Sequence, residues 1–386
     1  MNMELKVGEA GRSGNPAGSV ADGEGEPPRP RPWRQPFGSA RLPPRPPRSL
    51  RAREGLQTRA GVATAAPSCF PECGPLFRIL FITSTRLGDA VLSTGLLQHL
   101  LRTHPDARVT VACGPVAAPL FERMPGRDRT LVMEKRRFDL HWLALWRRCV
   151  LRRWDLVVDL RGSAVSFLLP ARRRVVMRGG RRPGHRTRHL AAVLGLVPPP
   201  QPVVWFSDAD CDRADALLPP NGPLIGLGPT ANWSGKVWPA DRFVALFERI
   251  AAIMPGAVPV VFAGPGEAER AMARPVLDAL PGAVDLCGRL SLPQVAACLS
   301  RCALFVGNDS GLMHLSAAAG TPTLGLFGPS RSSEYAPAGP RAAFVEAPGE
   351  PGIAPIAGLS VEDALRAATA LLEPSATPRP VPVGAS

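Results

Sequence analysis

Short apolar runs, each closed by a turn bearing glycine or an acid and followed at once by a helical stretch, constrain this chain most. The sharpest case is 303–306, read as a buried strand, which ends in Gly307-Asn308-Asp309-Ser310-Gly311 and passes into a small-residue helix over 312–319. Units of this kind, repeated, build a parallel sheet with helices over both faces. At such a corner, free backbone N–H groups and the positive end of the helix dipole converge, which suits an anion. Asp309 adds a carboxylate for sugar hydroxyls, and His314 lies one turn into the helix, facing the same pocket. The same residues equally suit a plain helix cap, with Asp309 or Ser310 as N-cap.

The units fall into two series. In the first, strands are expected at 77–82, 108–113, 130–133, 155–160 and 174–177. Helices are expected at 90–103, at about 116–123 and through a basic stretch ending near 153. In the second, strands at 224–227, 258–263, 284–286, 303–306 and 323–327 alternate with helices at 240–253, 267–280 and 291–300, and a helix at about 360–372 closes the fold. The expected class is α/β, with an N-terminal Rossmann-like domain over 76–220 and a C-terminal one over 221–386, facing each other across a cleft. In open parallel sheets, ligands bind beyond the carboxyl ends of the strands. Residues 1–75, rich in Pro, Arg and Gly, offer too little apolar surface to offset their ordering entropy and are expected to be a disordered tail.

The net charge of +14 is unevenly placed. Arginines crowd the segment 134–188, whereas the half after 220 is close to balanced. Such a field favours an anionic partner, whether a phosphorylated lipid surface, nucleic acid or an acidic substrate, or else marks a solvated face of an Arg-rich protein. No apolar run approaches the roughly 18 residues of a membrane span. The first residues lack the apolar core of a secretory signal. The eight cysteines are scattered. Cys298 and Cys302 lack a second pair, and Cys69 and Cys73 lack a His partner, so a zinc set is not expected and reduced cysteines of a cytoplasmic protein are.

Four loops at strand ends carry polar residues that would be odd as packing. Ser84-Thr85-Arg86-Leu87-Gly88-Asp89 places a glycine for a tight turn and an acid at a helix start, where Asp89 serves as a general base or simply as an N-cap. In 228–239, Thr230 and Lys236 accompany flexible glycines, an assortment suited to a diphosphate, although the spacing is not that of a Walker A loop. Trp238 is expected to pack beneath this loop. Gly264-Pro265-Gly266-Glu267 has the form of a ribose-hydroxyl site, with Glu267 as the acid. The fourth loop is the Asn308–Gly311 corner with His314. No cluster with metal-ligand spacing is present, so no cofactor is expected, and Lys236 with a helix N-terminus must stand in for a cation if a diphosphate is handled.

Together these motifs resemble the heptosyltransferase family, inverting glycosyltransferases of the lipopolysaccharide inner core. The resemblance is carried by Ile82-Thr83-Ser84-Thr85-Arg86-Leu87-Gly88-Asp89-Ala90-Val91-Leu92, Gly235-Lys236-Val237-Trp238-Pro239 and Leu286-Cys287-Gly288-Arg289-Leu290-Ser291-Leu292. It continues through Asn308-Asp309-Ser310-Gly311-Leu312-Met313-His314-Leu315 and Leu326-Phe327-Gly328-Pro329. It implies a GT-B fold, a nucleotide-sugar donor (ADP-heptose) and a phosphorylated glycolipid acceptor. It further implies a cytoplasmic enzyme with peripheral contact to an anionic membrane and no nucleic-acid partner. By position, Asp89 would be the base, Thr230 and Lys236 would hold the diphosphate, and Glu267 the ribose. Asp309 would hold the transferred sugar, with Ser310, Gly311 and His314 around the phosphates. The proline-rich first 75 residues stand outside the family pattern. The rival readings are another GT-B enzyme, with a different sugar or a 2-epimerase reaction, and a non-enzymatic protein that binds anionic surfaces.

Overall fold

Arg78–Ile82 (β1) is apolar after its first residue, and its side chains alternate between two cores: Leu80 and Ile82 enter one, Ile79 and Phe81 the other. A strand covered on both faces has this continuous apolar pattern. The computed structural model describes residues 76–135, 137–179 and 183–373. The expectation for 1–75 lies outside these residues, as do Arg136, Arg181, Arg182, Cys69 and Cys73. The described residues fall in one unit, and within it lie two parallel sheets.

The N-terminal sheet also contains Arg108–Cys113 (β2), Arg127–Val132 (β3), Trp154–Asp159 (β4) and Ala171–Val176 (β5), in the order β3-β2-β1-β4-β5. Leu87–Thr103 (α1) covers one face and Leu140–Cys149 (α2) the other; Arg186–Ala192 (α3) packs on α1. The C-terminal sheet is built from Leu224–Gly228 (β6), Val258–Val261 (β7), Val284–Asp285 (β8), Leu304–Asn308 (β9), Thr323–Phe327 (β10) and Ala342–Glu346 (β11). Its order is β11-β10-β9-β6-β7-β8, and all described pairings in both sheets are parallel. Ala240–Ile253 (α5), Glu267–Ala279 (α6) and Val361–Leu372 (α10) sheathe one face. Leu292–Arg301 (α7) and Gly311–Ala318 (α8) cover the other. Strand order reverses between β1 and β4 in one sheet and between β6 and β9 in the other, and each reversal opens a crevice at the strands' carboxyl ends.

The two sheets share a core. The segment after α3 runs along α1: the Val203 N–H donates to Thr94 Oγ1 (2.9 Å), and Trp205 Nε1 to Gln98 Oε1 (3.2 Å). It enters Asp208–Leu217 (α4) through a capping box of Ser207 and Asp210, and Asp210 also holds Arg123 at 2.9 Å. Helix α4 packs on α7, and α1 packs on α8, so one apolar cluster runs from the first sheet to the second.

Several expected boundaries move. Helix α1 begins at Leu87, not 90, with Arg86 as an N-cap that makes no side-chain bond, so Asp89 is neither the N-cap nor loop but the third helical residue. The helix expected at 116–123 is a 3-10 turn, Ala118–Phe121. The sequence reading passed over α3, α4, β11 and Ser332–Tyr335 (α9). Among the described residues, no helix is long and apolar enough to cross a membrane. The described cysteines are free, and burial pushes the thiols of Cys113, Cys287 and Cys298 up to about 12.

Candidate active site

Helices α1 and α8 meet at their N-terminal turns, and two glycines make this possible. A Cβ on Gly88 would sit 2.8 Å from His314 Cδ2, and one on Gly311 would sit 2.9 Å from Leu87 Cδ2. Gly88 therefore serves close approach between the two helices rather than the tight turn expected. Neither helix has a side-chain N-cap bond, so the free N–H groups of both first turns open toward one place. That place is a cleft of about 2390 Å³, lined by the carboxyl-end loops of both sheets.

From the N-terminal side, Asp89 enters the cleft with Arg186 Nε 3.6 Å from its Oδ1. Arg186 opens α3, whose N-cap is His185: its Nδ1 accepts from the Thr187 N–H (3.3 Å), while Nε2 lies 2.9 Å from the Ala336 carbonyl of the C-terminal part. One imidazole thus fixes the helix that presents Arg186 and ties it across the cleft. Burial lowers the His185 pKa, consistent with a neutral ring that accepts at one nitrogen and donates at the other.

From the C-terminal side, Lys236 Nζ lies 2.5 Å from Asp309 Oδ2, with Asp309 buried at the end of β9. The sequence reading gave these two residues to different parts of a ligand; the structure pairs them with each other. A lysine ammonium carries three donors, so two remain. The loop bearing Lys236 is pinned by Asn308, whose Oδ1 accepts from the Trp238 N–H (3.1 Å), and by the Trp238 indole, which donates to the Leu359 carbonyl (3.0 Å). Trp238 is fully buried beneath the loop, as expected. Thr230 is buried in the cleft wall, and Ser310, Gly311 and His314 line it. Ser310 is the N-cap of α8 but its hydroxyl makes no capping bond, so the plain-cap reading of this corner does not hold.

His314 is 4% exposed, and burial lowers its pKa to about 4, against the opposing pull of Asp309 and Asp89. It is therefore a neutral ring at neutral pH. Of eight buried side-chain atoms without a hydrogen-bond partner among the described residues, five belong to the cleft: His141 Nδ1, Arg186 Nε, Ser310 Oγ, His314 Nδ1 and Ser330 Oγ. Buried polar atoms are ordinarily paired, so their concentration here marks a wall shaped for a polar ligand.

One expected residue is elsewhere. Glu267 is exposed at the first position of α6 and does not line the cleft. Glu269, two residues on, does line it. Its carboxylate accepts from the Gly264 backbone, and burial raises its pKa. A Cβ at residue 264 would fall 1.7 Å from Glu269 Oε2, so only a glycine leaves the carboxylate its place. Both acids stand in one helical turn, and sequence alone carried no signal to choose between them. Among the described residues, no group of three His, Cys, Asp or Glu could hold a metal ion.

Residues 163–353 match the family described as glycosyltransferase family 9 (heptosyltransferase); Asp89 lies before that span. The chain is 27% identical over 303 residues to lipopolysaccharide heptosyltransferase 2 of Salmonella typhimurium, covering 67% of this chain and 85% of that protein. It is 25% identical over 301 residues to lipooligosaccharide heptosyltransferase 2 of Haemophilus influenzae, with the same coverage. Among solved structures, a family 9 glycosyl transferase from Veillonella parvula superposes with a TM-score of 0.66 at 22% identity, over 77% of this chain and 97% of that one. The E. coli ADP-heptose lipopolysaccharide heptosyltransferase II gives 0.62 at 22% identity, over 77% and 98%. The fold is thus the GT-B arrangement of two facing Rossmann-like halves, and the chain belongs to glycosyltransferase family 9, the heptosyltransferases.

Proposed function

We propose that this glycosyltransferase moves a heptose from ADP-heptose to the inner core of a lipopolysaccharide-type glycolipid, with inversion at the anomeric carbon. The observation that carries the reading is the joint placement of Asp89 and the Lys236–Asp309 pair in one cleft, at the switch points of two parallel sheets. Asp89 takes the proton of the acceptor hydroxyl as that oxygen bonds to the anomeric carbon. The bond from that carbon to the diphosphate oxygen breaks, and the electron pair leaves with ADP. Charge growing on the diphosphate meets the free N–H groups of α8 and the two remaining donors of Lys236. Thr230, Ser310 and Gly311 orient the phosphates, and Asp309 both aims Lys236 and accepts from a hydroxyl of the sugar. His314, neutral between the two acids, contributes hydrogen bonds rather than charge. Glu269 replaces Glu267 as the carboxylate offered to the ribose.

Arg186 stands beside Asp89 on the acceptor side, and the open basic surface around it suits a phosphorylated glycolipid held at an anionic membrane. The test is to supply ADP-heptose and a panel of other nucleotide sugars, with and without a lipid A-type acceptor, and to follow nucleoside diphosphate release. Release from ADP-heptose that requires the acceptor is the expected result. Equal release from another nucleotide sugar, or none from ADP-heptose, would set the donor assignment aside.

A further inference from the structure

The outward face of α2 is patterned like an inner one. Leu145 and Cys149 form its buried side, with Trp142 and Trp146 partly buried beside them. The solvent stripe, at spacings of three and four, is Leu140, Leu143 and Arg147, and it continues into Leu151 just past the helix, 94% exposed. A helix on a soluble surface ordinarily presents polar residues there. Trp146 Nε1 donates to the Leu168 carbonyl (3.4 Å), which holds the 3-10 turn Ala164–Leu168 against α2, and that turn exposes Phe167 and Leu168 in its turn. Two adjoining segments thus offer five large apolar side chains to solvent. Single exposed leucines are commonplace; a contiguous group is not.

The charge around this group is one-sided. Residues 134–188 hold sixteen Lys and Arg against four Asp and Glu. Arg147 and Arg148 flank the leucine stripe, Arg172 and Arg173 stand exposed on the edge strand β5, and the Arg178 guanidinium lies 5.7 Å from the Phe167 ring centre. The surface also borders the cleft, since Trp142 and Arg178 line it.

We propose that this face docks on an anionic phospholipid bilayer, with the leucines and Phe167 entering the boundary between headgroups and acyl chains and the arginines lying at the level of the phosphates. Charge complementarity selects that occupant. A second copy of the chain would set arginines against arginines, and a nucleic acid would engage the arginines but leave the leucines without an apolar partner. The proposal draws its meaning from a membrane-borne acceptor, yet its test needs neither donor nor acceptor, so each reading fails separately.

The full chain is sedimented with vesicles of phosphatidylglycerol and phosphatidylcholine, and with vesicles of phosphatidylcholine alone. Binding is expected only to the anionic vesicles and should weaken with added salt. The double variant Leu143→Glu with Leu151→Glu should lower vesicle affinity about tenfold or more, from the apolar area withdrawn. Arg147→Glu with Arg148→Glu should lower it by a similar factor, at about 1 kcal/mol for each basic residue lost near the surface. Both variants should keep the wild-type circular dichroism and thermal midpoint, because the altered side chains are exposed. Wild-type affinity in the folded leucine variant would overturn the proposal. So would a loss confined to self-association or to nucleic-acid binding.

Discussion

The two halves of the molecule share an architecture and differ in how they treat their surfaces. In the C-terminal half a six-stranded sheet is sheathed by helices on both faces, and residues 221–386 hold eleven Lys and Arg against thirteen Asp and Glu. At the cleft, Lys236 is paired with the buried Asp309, and the Glu269 carboxylate is set against Gly264. In the N-terminal half a five-stranded sheet has one short helix and a 3-10 turn on its outer face, an arginine-bearing edge strand and exposed leucines. In the proposed function, the C-terminal half meets a small, highly charged donor whose groups must be held at fixed positions. In the same proposal, the N-terminal half, broad and basic, meets a large anionic acceptor. Position-specific chemistry should therefore fail sharply when a C-terminal residue is changed, whereas the N-terminal surface should lose affinity by increments, Asp89 excepted.

The comparison can be broken in several places. Lys236→Ala should weaken donor binding by about 1.5–3 kcal/mol, the scale of a charge-assisted hydrogen bond, as read by calorimetry with ADP-heptose. Unchanged affinity would move the diphosphate away from Lys236. Gly88→Val places a branched side chain where His314 already lies, and overpacking of this kind costs about 1–3 kcal/mol, seen as a lower thermal midpoint. A midpoint equal to the wild type would mean that the two helix ends have room to part. Glu269→Ala should reduce donor affinity by about 1 kcal/mol while Glu267→Ala leaves it alone, the difference between a carboxylate in the cleft and one in solvent. The reverse order would restore Glu267.

A further test concerns pH. His314 titrates near 4 in the folded chain and near its ordinary 6.5 when unfolded. Between those values the unfolded chain binds a proton that the folded chain does not, so stability should fall as pH drops through this window. His314→Gln should flatten that slope in denaturant titrations between the two values. A slope that persists unchanged would assign it to other groups.

Much of this was legible beforehand. The strands announced themselves as apolar runs because a strand of a doubly covered sheet has no polar face. The strand-end loops announced themselves because Thr230, Lys236, Asp309 and His314 lie where a packed core has no use for them. What stayed hidden was pairing across distance. Nothing in the sequence puts Arg186 beside Asp89, or Asn308 under the Trp238 amide, since each contact depends on a crossover that only the assembled sheet defines. The start of α1 is hidden because Arg86, Leu87 and Gly88 carry no capping signal, and its first turn meets α8 only in the assembled fold. The cleft-facing glutamate is hidden for a related reason: α6 opens with two acids in its first turn, and only the assembled fold sets Glu269 against Gly264 at the cleft.

The central claim is that the donor is held by the C-terminal half while an N-terminal carboxylate removes the acceptor proton. Asp89→Asn tests it most directly, with transfer to a lipid A-type acceptor and ADP-heptose affinity measured on the same preparation. The account predicts a loss in turnover of about 10²–10⁴ with donor affinity close to the wild type. Turnover retained, or donor affinity lost along with it, would contradict that division of labour.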